Sequence, residues 1–173
     1  REFRTVSGKA LEFVAVLSIP LTVSFTIMAK QCILLLSGNA YLPSVIPMCI
    51  IMPTLILIGA SNVFGVQMLV PLGKETIVLY SECAGAVADI ILTAVFIPRY
   101  GASGAAFGTL VAEAVVLVVQ AAALKNMVWE IIKKVEVWKI LPAAALSGAA
   151  MVFIKNKLNM PVFPVLVICF SVF

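Results

Sequence analysis

Residues 77–97 read IVLYSECAGAVADIILTAVFI, a run of 21 residues with only two charged side chains, Glu82 and Asp89. A transmembrane α-helix needs about 20 predominantly apolar residues, so this segment is expected to cross a bilayer. Glu82 and Asp89 are seven positions apart, two helical turns, and therefore share one face. Ser81 and Gly85 lie on the same face and gain little from lipid. A charge near the bilayer centre costs roughly 2.5–3.5 kcal/mol on insertion scales. That face is expected to line a bundle interior or a wet cleft.

The same pattern repeats on both sides. Upstream, apolar runs over 10–36 and 45–70 predict two spans, the second holding Pro47, Pro53, Gly59 and Gly65. Proline and glycine are tolerated in membrane helices where neighbours satisfy the freed carbonyls, and they favour kinks. Downstream, spans are expected over 105–124 and 137–154, with a partial sixth over 161–173. The turns SGNAYLPS, PLGKET and PRYGASG are too short to hold a catalytic domain. The fold class is therefore all-α, a polytopic transmembrane helix bundle of about five full spans plus a partial sixth, forming one domain over 1–173. Between spans four and five, residues 126–138 place Val128, Ile131, Ile132 and Val135 at i, i+3, i+4, i+7 spacing. Glu130 and Lys134 occupy the polar side, and Trp129 and Trp138 suit the headgroup layer. This stretch predicts an interfacial amphipathic helix; the alternative is an early start to span five.

Composition agrees with this reading. Of 173 residues, 63% are hydrophobic and 12% charged, against about 45–50% and about 25% in soluble domains. A soluble fold of this size cannot hide so much apolar surface. The net charge of +4 comes from scattered residues at the ends of apolar runs, without a basic stripe, which argues against nucleic acid as a partner. Placed on alternate sides, Arg1, Arg4, Lys9, Lys74, Lys125, Lys133, Lys134 and Lys139 oppose Arg99, Lys155 and Lys157, a bias of eight to three. The first set is expected in the cytoplasm. The four cysteines, Cys32, Cys49, Cys83 and Cys169, show no CxxC spacing and read as buried thiols. Histidine, the commonest metal ligand and proton shuttle, does not occur. No catalytic residue, metal site or cofactor is expected, and the chain reads as a non-enzyme. It opens at Arg1 with no signal peptide pattern and closes on a short apolar stretch, as a fragment of a longer membrane protein would.

Candidate pathway residues are the ionisable groups inside spans, Lys30, Glu82, Asp89 and Glu113. Lys30 is expected either to pair with one of the acids, to meet an anionic substrate, or to snorkel outward. Asp89, nearest mid-span, is the strongest candidate for lining a cavity. Helix packing is expected along Gly104, Gly108 and Ala112, a small-xxx-small stripe, with Ala84 and Ala88 on span three and Ala145 and Ala149 on span five.

The run FIPRYGASGAAFGTLVAE, residues 96–113, resembles the signature of bacterial polysaccharide (O-antigen type) flippases, which carry a lip-x-yG-x-x-GAa-x-at-x-x-x-E pattern at the matching turn. LSIPLTVSF at Pro20, ILLLSGNAY at Gly38 and PLGKE at Gly73 lie in the same order. Up to about Leu124 the chain is similar to the carboxy-terminal lobe of the multidrug/oligosaccharidyl-lipid/polysaccharide (MATE-like) exporter superfamily. The resemblance implies a two-lobe transporter of twelve to fourteen spans in the bacterial inner membrane, here without its amino-terminal lobe. Its substrate would be an undecaprenyl-diphosphate-linked oligosaccharide, moved between leaflets by alternating access through a central cavity. Lys30 and Arg99 are the candidates to meet the diphosphate. Asp89 departs from the family, whose members often show Asn there, and leaves open a cation-coupled role. Two alternatives remain, a cation-coupled multidrug exporter of the same superfamily and a non-transporting scaffold of a glycan-assembly complex.

Overall fold

The computed structural model describes residues 2–132, and every regular element among them is helical. Four helical stretches, Thr5–Ile27, Asn39–Leu69, Glu75–Tyr100 and Ala102–Ala123, are long and apolar enough to cross a membrane, the pattern of a multi-pass membrane protein. The expected spans over 137–154 and 161–173, with Trp138, Ala145, Ala149 and Cys169, lie outside the described residues.

Helix α1 (Glu2–Ile27) starts well before the expected apolar run and holds the buried Pro20 in its interior. The proline ring removes one backbone donor and crowds the preceding turn. The first span does not continue to residue 36 as one helix. It breaks at Met28 (φ −97°, ψ 9°), and α2 (Ala29–Ser37) follows. Gly38, at φ +79°, ends α2, and its N–H donates to the carbonyls of Ile33 and Leu34. That left-handed backbone suits glycine, which lacks a Cβ.

The second span is helical from Asn39 onward, because the expected turn folds as a 3-10 segment (Asn39–Ser44) leading into α3 (Val45–Ile51). Pro53 then interrupts it before α4 (Thr54–Asn62). Thr54 Oγ1 donates to the Ile51 carbonyl at 2.6 Å, and Thr22 Oγ1 of α1 reaches the Met52 carbonyl at 3.3 Å. Both hydroxyls bond carbonyls at the break that Pro53 makes in the helix. From Val63 to Leu69 the helix widens to π geometry, with the Val70 N–H bonded to the Gly65 carbonyl at 3.0 Å. The main apolar cluster is built here from Val63, Phe64, Met68, Leu69, Leu124 and Val128, with Ala10, Leu11 and Val14 packed against it.

Helices α5 (Glu75–Tyr100) and α6 (Ala102–Ala123) form the antiparallel hairpin that dominates the contacts among the described residues. α5 runs through Pro98, beyond the expected end at 97, and stops at Gly101, whose φ of +56° turns the chain. Phe96 packs edge-on against Phe107 with ring centroids 5.4 Å apart, closing that end of the hairpin. α6 also packs against α3 and α4, so it is the central helix of the described bundle. It ends at Leu124, and α7 (Lys125–Ile132) continues the expected amphipathic stretch as far as the described residues reach, burying Val128 and exposing Trp129 and Glu130.

Candidate functional site

Small and polar side chains set how α5 meets α6. A Cβ placed on Gly104 would come 2.5 Å from the Phe96 carbonyl oxygen, and one on Gly108 would come 2.8 Å from Thr93 Oγ1. A Cβ on Gly85 would collide with Val116 and lie 3.3 Å from the Ala112 carbonyl oxygen. Gly104, Gly108 and Ala112 are all buried, and their stripe faces α5. The matching stripe on α5 is Ser81 and Gly85, both buried, continued by Thr93 against Gly108. It does not follow Ala84 and Ala88, since Ala84 is exposed and Ala88 half-buried.

Asp89 sits on this seam, half-buried, and its Oδ1 accepts from Thr93 Oγ1 at 3.2 Å and from Thr109 Oγ1 at 3.3 Å. The first donor is one turn along α5 and the second comes across from α6. Close approach of the backbones at Gly108 brings both hydroxyls to one carboxylate oxygen. Glu113, half-buried on α6, lies within electrostatic range of Glu82 and Asp89. Glu82 is exposed, although its sequence neighbour Ser81 is fully buried. The three acids therefore occupy one region of the hairpin, grading from exposed to half-buried. Among the described residues, no group of three or more His, Cys, Asp or Glu is placed to hold a metal ion.

The two basic candidates lie elsewhere. Lys30 is exposed on α2, whose contacts are chiefly with the 3-10 segment, α3 and α1. Arg99 is exposed in the last turn of α5, beside the hairpin turn. A cation there is favoured by the helix dipole.

Gln120 was not singled out by the sequence reading. It is 1% exposed, and its Nε2 donates to Ser81 Oγ at 3.0 Å. Ser81 Oγ in turn donates to the Val78 carbonyl at 2.7 Å. The amide rests against Gly65, where a Cβ would lie 3.1–3.3 Å from its Nε2, Oε1 and Cδ atoms. One side chain thus joins α6, α5 and the π-helical segment. Its Oε1 has no hydrogen-bond partner among the described residues, an arrangement that costs about 1–3 kcal/mol in a buried site. The signal was present in the sequence, since Gln120 is the sole amide in AVVLVVQAAAL and lies seven residues after Glu113.

No protein-family model, no curated protein and no solved structure matches this chain.

Proposed function

We propose that the chain belongs to a membrane transporter and not to an enzyme, and that it flips a lipid-linked oligosaccharide across the bacterial inner membrane for cell-surface polysaccharide synthesis. In this reading the chain is most of the carboxy-terminal lobe of a two-lobe, MATE-like protein, and the substrate head crosses by alternating access of a cavity between the lobes. The observation that carries it is the acid-bearing seam of the α5–α6 hairpin. Asp89 takes its two hydrogen bonds from neutral threonines, and Glu82 is exposed on a helix apolar enough to cross a membrane. A carboxylate turned toward acyl chains is costly, so water in a passage is the favourable surrounding for this face. The turn FIPRYGASGAAFGTLVAE, with Arg99 and Gly101 at its bend, supports the choice of a polysaccharide flippase. The helix breaks at Met28 and Pro53 and the π-helical segment support this reading, because alternating access uses discontinuous helices.

The test is deletion of the full-length gene followed by analysis of lipid-linked glycan. A flippase leaves undecaprenyl-diphosphate-linked intermediate accumulating on the cytoplasmic leaflet, reversed by the wild-type gene and not by an Asp89→Leu variant. Normal glycan export in the deletion strain rejects the reading. The proximity of Glu113 to Glu82 and Asp89 favours a second reading, a cation-coupled exporter of small cationic drugs. That exporter would leave the glycan unchanged and make the deletion strain drug-sensitive.

A further inference from the structure

A chain reversal and a helix break meet at the end of the bundle that carries Lys9. At the first, Gly73 (φ +67°) turns the chain, and the Lys74 N–H bonds back to the Leu69 carbonyl at 2.9 Å. At the second, α6 stops at Leu124 (φ −103°, ψ 11°), and the Met127 N–H bonds to the Leu124 carbonyl at 2.7 Å as α7 begins. Between them lies an open cleft of about 310 Å³ lined by Leu72, Lys74, Ala123, Leu124, Lys125 and Met127. Both lysines are exposed, and neither Glu75, next to Lys74, nor any other acid is among the described lining residues. The other four lining side chains are apolar. Leu124 is buried, Leu72 is exposed, and Trp129 stands exposed one turn beyond Lys125 on α7.

We infer that this cleft is a binding site for the headgroup of an anionic phospholipid, held by Lys74 and Lys125 with the start of its acyl chains against Leu72 and Met127. The pairing follows from the chemistry of the lining. Two ammonium groups without a lining acid attract a phosphate, and each lysine near an anionic membrane surface strengthens binding about fivefold. The apolar floor distinguishes a lipid from a soluble anion, because free phosphate gains nothing from Leu72, Ala123 or Met127. The position fits a headgroup as well. Both lysines lie at the ends of helices long and apolar enough to span the bilayer, where charged heads meet the interface. The site owes nothing to the transport reading, and its test does not measure transport.

The full chain carrying Trp138→Phe, reconstituted in vesicles, leaves Trp129 as the single tryptophan reporter beside the cleft. Brominated phosphatidylglycerol is expected to quench it at roughly twenty-fivefold lower mole fraction than brominated phosphatidylcholine. Lys74→Gln with Lys125→Gln is expected to abolish that preference, and the corresponding double arginine variant to keep it, with helicity checked by circular dichroism. Lys9→Gln, at the same end and outside the cleft, is expected to leave the preference intact. Equal quenching by the two lipids overturns the assignment, as does a preference that survives the double glutamine variant. An equal loss in Lys9→Gln shows diffuse surface attraction and also overturns it. Displacement of the brominated phosphatidylglycerol by millimolar inorganic phosphate shows a site for a soluble anion and rejects the lipid.

Discussion

Gln120 shows how one polar side chain acts inside an apolar helix. Its amide is buried between Ser81 and Gly65, with one polar atom satisfied and the other not. Leaving a buried acceptor unpaired is expensive, whereas removing the polar group altogether is nearly neutral. Gln120→Leu is therefore expected to change thermal stability in detergent by less than about 1 kcal/mol, or to raise it, because Ser81 keeps its bond to the Val78 carbonyl. Gly65→Ala pushes a methyl group against the amide and is expected to destabilise by about 1–3 kcal/mol. The double variant Gly65→Ala/Gln120→Ala should recover most of that loss. Thermal melts of the wild type, Gly65→Ala, Gln120→Ala and the double variant form the cycle, and additive effects would show that the amide is not the obstacle. Asp89 is the opposite case, a half-buried acid whose neighbours on both helices donate to it. Its position seven residues from Glu82 was visible in the chain, but the second threonine, twenty positions away, was not.

Among the helices, the α5–α6 hairpin depends on how close two backbones come. The obstacles at its glycines differ in kind, and the difference ranks the substitutions. At Gly104 a methyl group meets the carbonyl of Phe96, which belongs to the helix backbone and cannot turn aside. At Gly108 it meets the hydroxyl of Thr93, a side-chain end that can shift at the cost of its hydrogen bond to Asp89. Gly104→Ala is expected to lower stability by about 2–3 kcal/mol, and Gly108→Ala by about 1 kcal/mol or less. Equal losses in unfolding titrations would contradict this hierarchy. The small-xxx-small spacing on α6 was legible because it repeats in a single helix. On α5 the sequence put Ser81 and Gly85 on an inward face but the packing stripe on Ala84 and Ala88; alanine, glycine and serine occur on several faces there, and only the rotation of α5 about its own axis selects Ser81 and Gly85. The breaks at Met28 and across Val63–Leu69 were equally hidden. Neither contains a proline, and the π geometry is supported by the packing of Phe64, Met68 and Leu69 in the main cluster.

Across the whole molecule, the four apolar stretches leave most of their surface uncovered. In the most apolar part of the second span 6% of residues are buried within the chain, and in that of the third span 11%. Lipid or further protein must cover the rest. The alternation of helix directions brings Lys9, Lys74 and Lys125 to one end of the bundle and Arg99 to the other. With the native cysteines replaced by serine, Lys74→Cys is expected to react with a membrane-impermeant maleimide only after cells are opened, whereas Arg99→Cys reacts in intact cells. The reverse pattern would invert the orientation and put the Lys74–Lys125 cleft at the outer leaflet. Hydropathy was sufficient for the class of fold, because 63% apolar residues in runs of about 20 have no stable home in water. The spacing of Glu82 and Asp89 was likewise sufficient to place both on one side of a helix. Neither could say which neighbour that side meets, nor that Gln120 would be wedged against Gly65, nor that Lys74 and Lys125 would share a cleft. Local pattern decides how each segment is solvated; contacts between residues far apart in the chain arise from shape complementarity of whole helices, a property that no single stretch of residues contains.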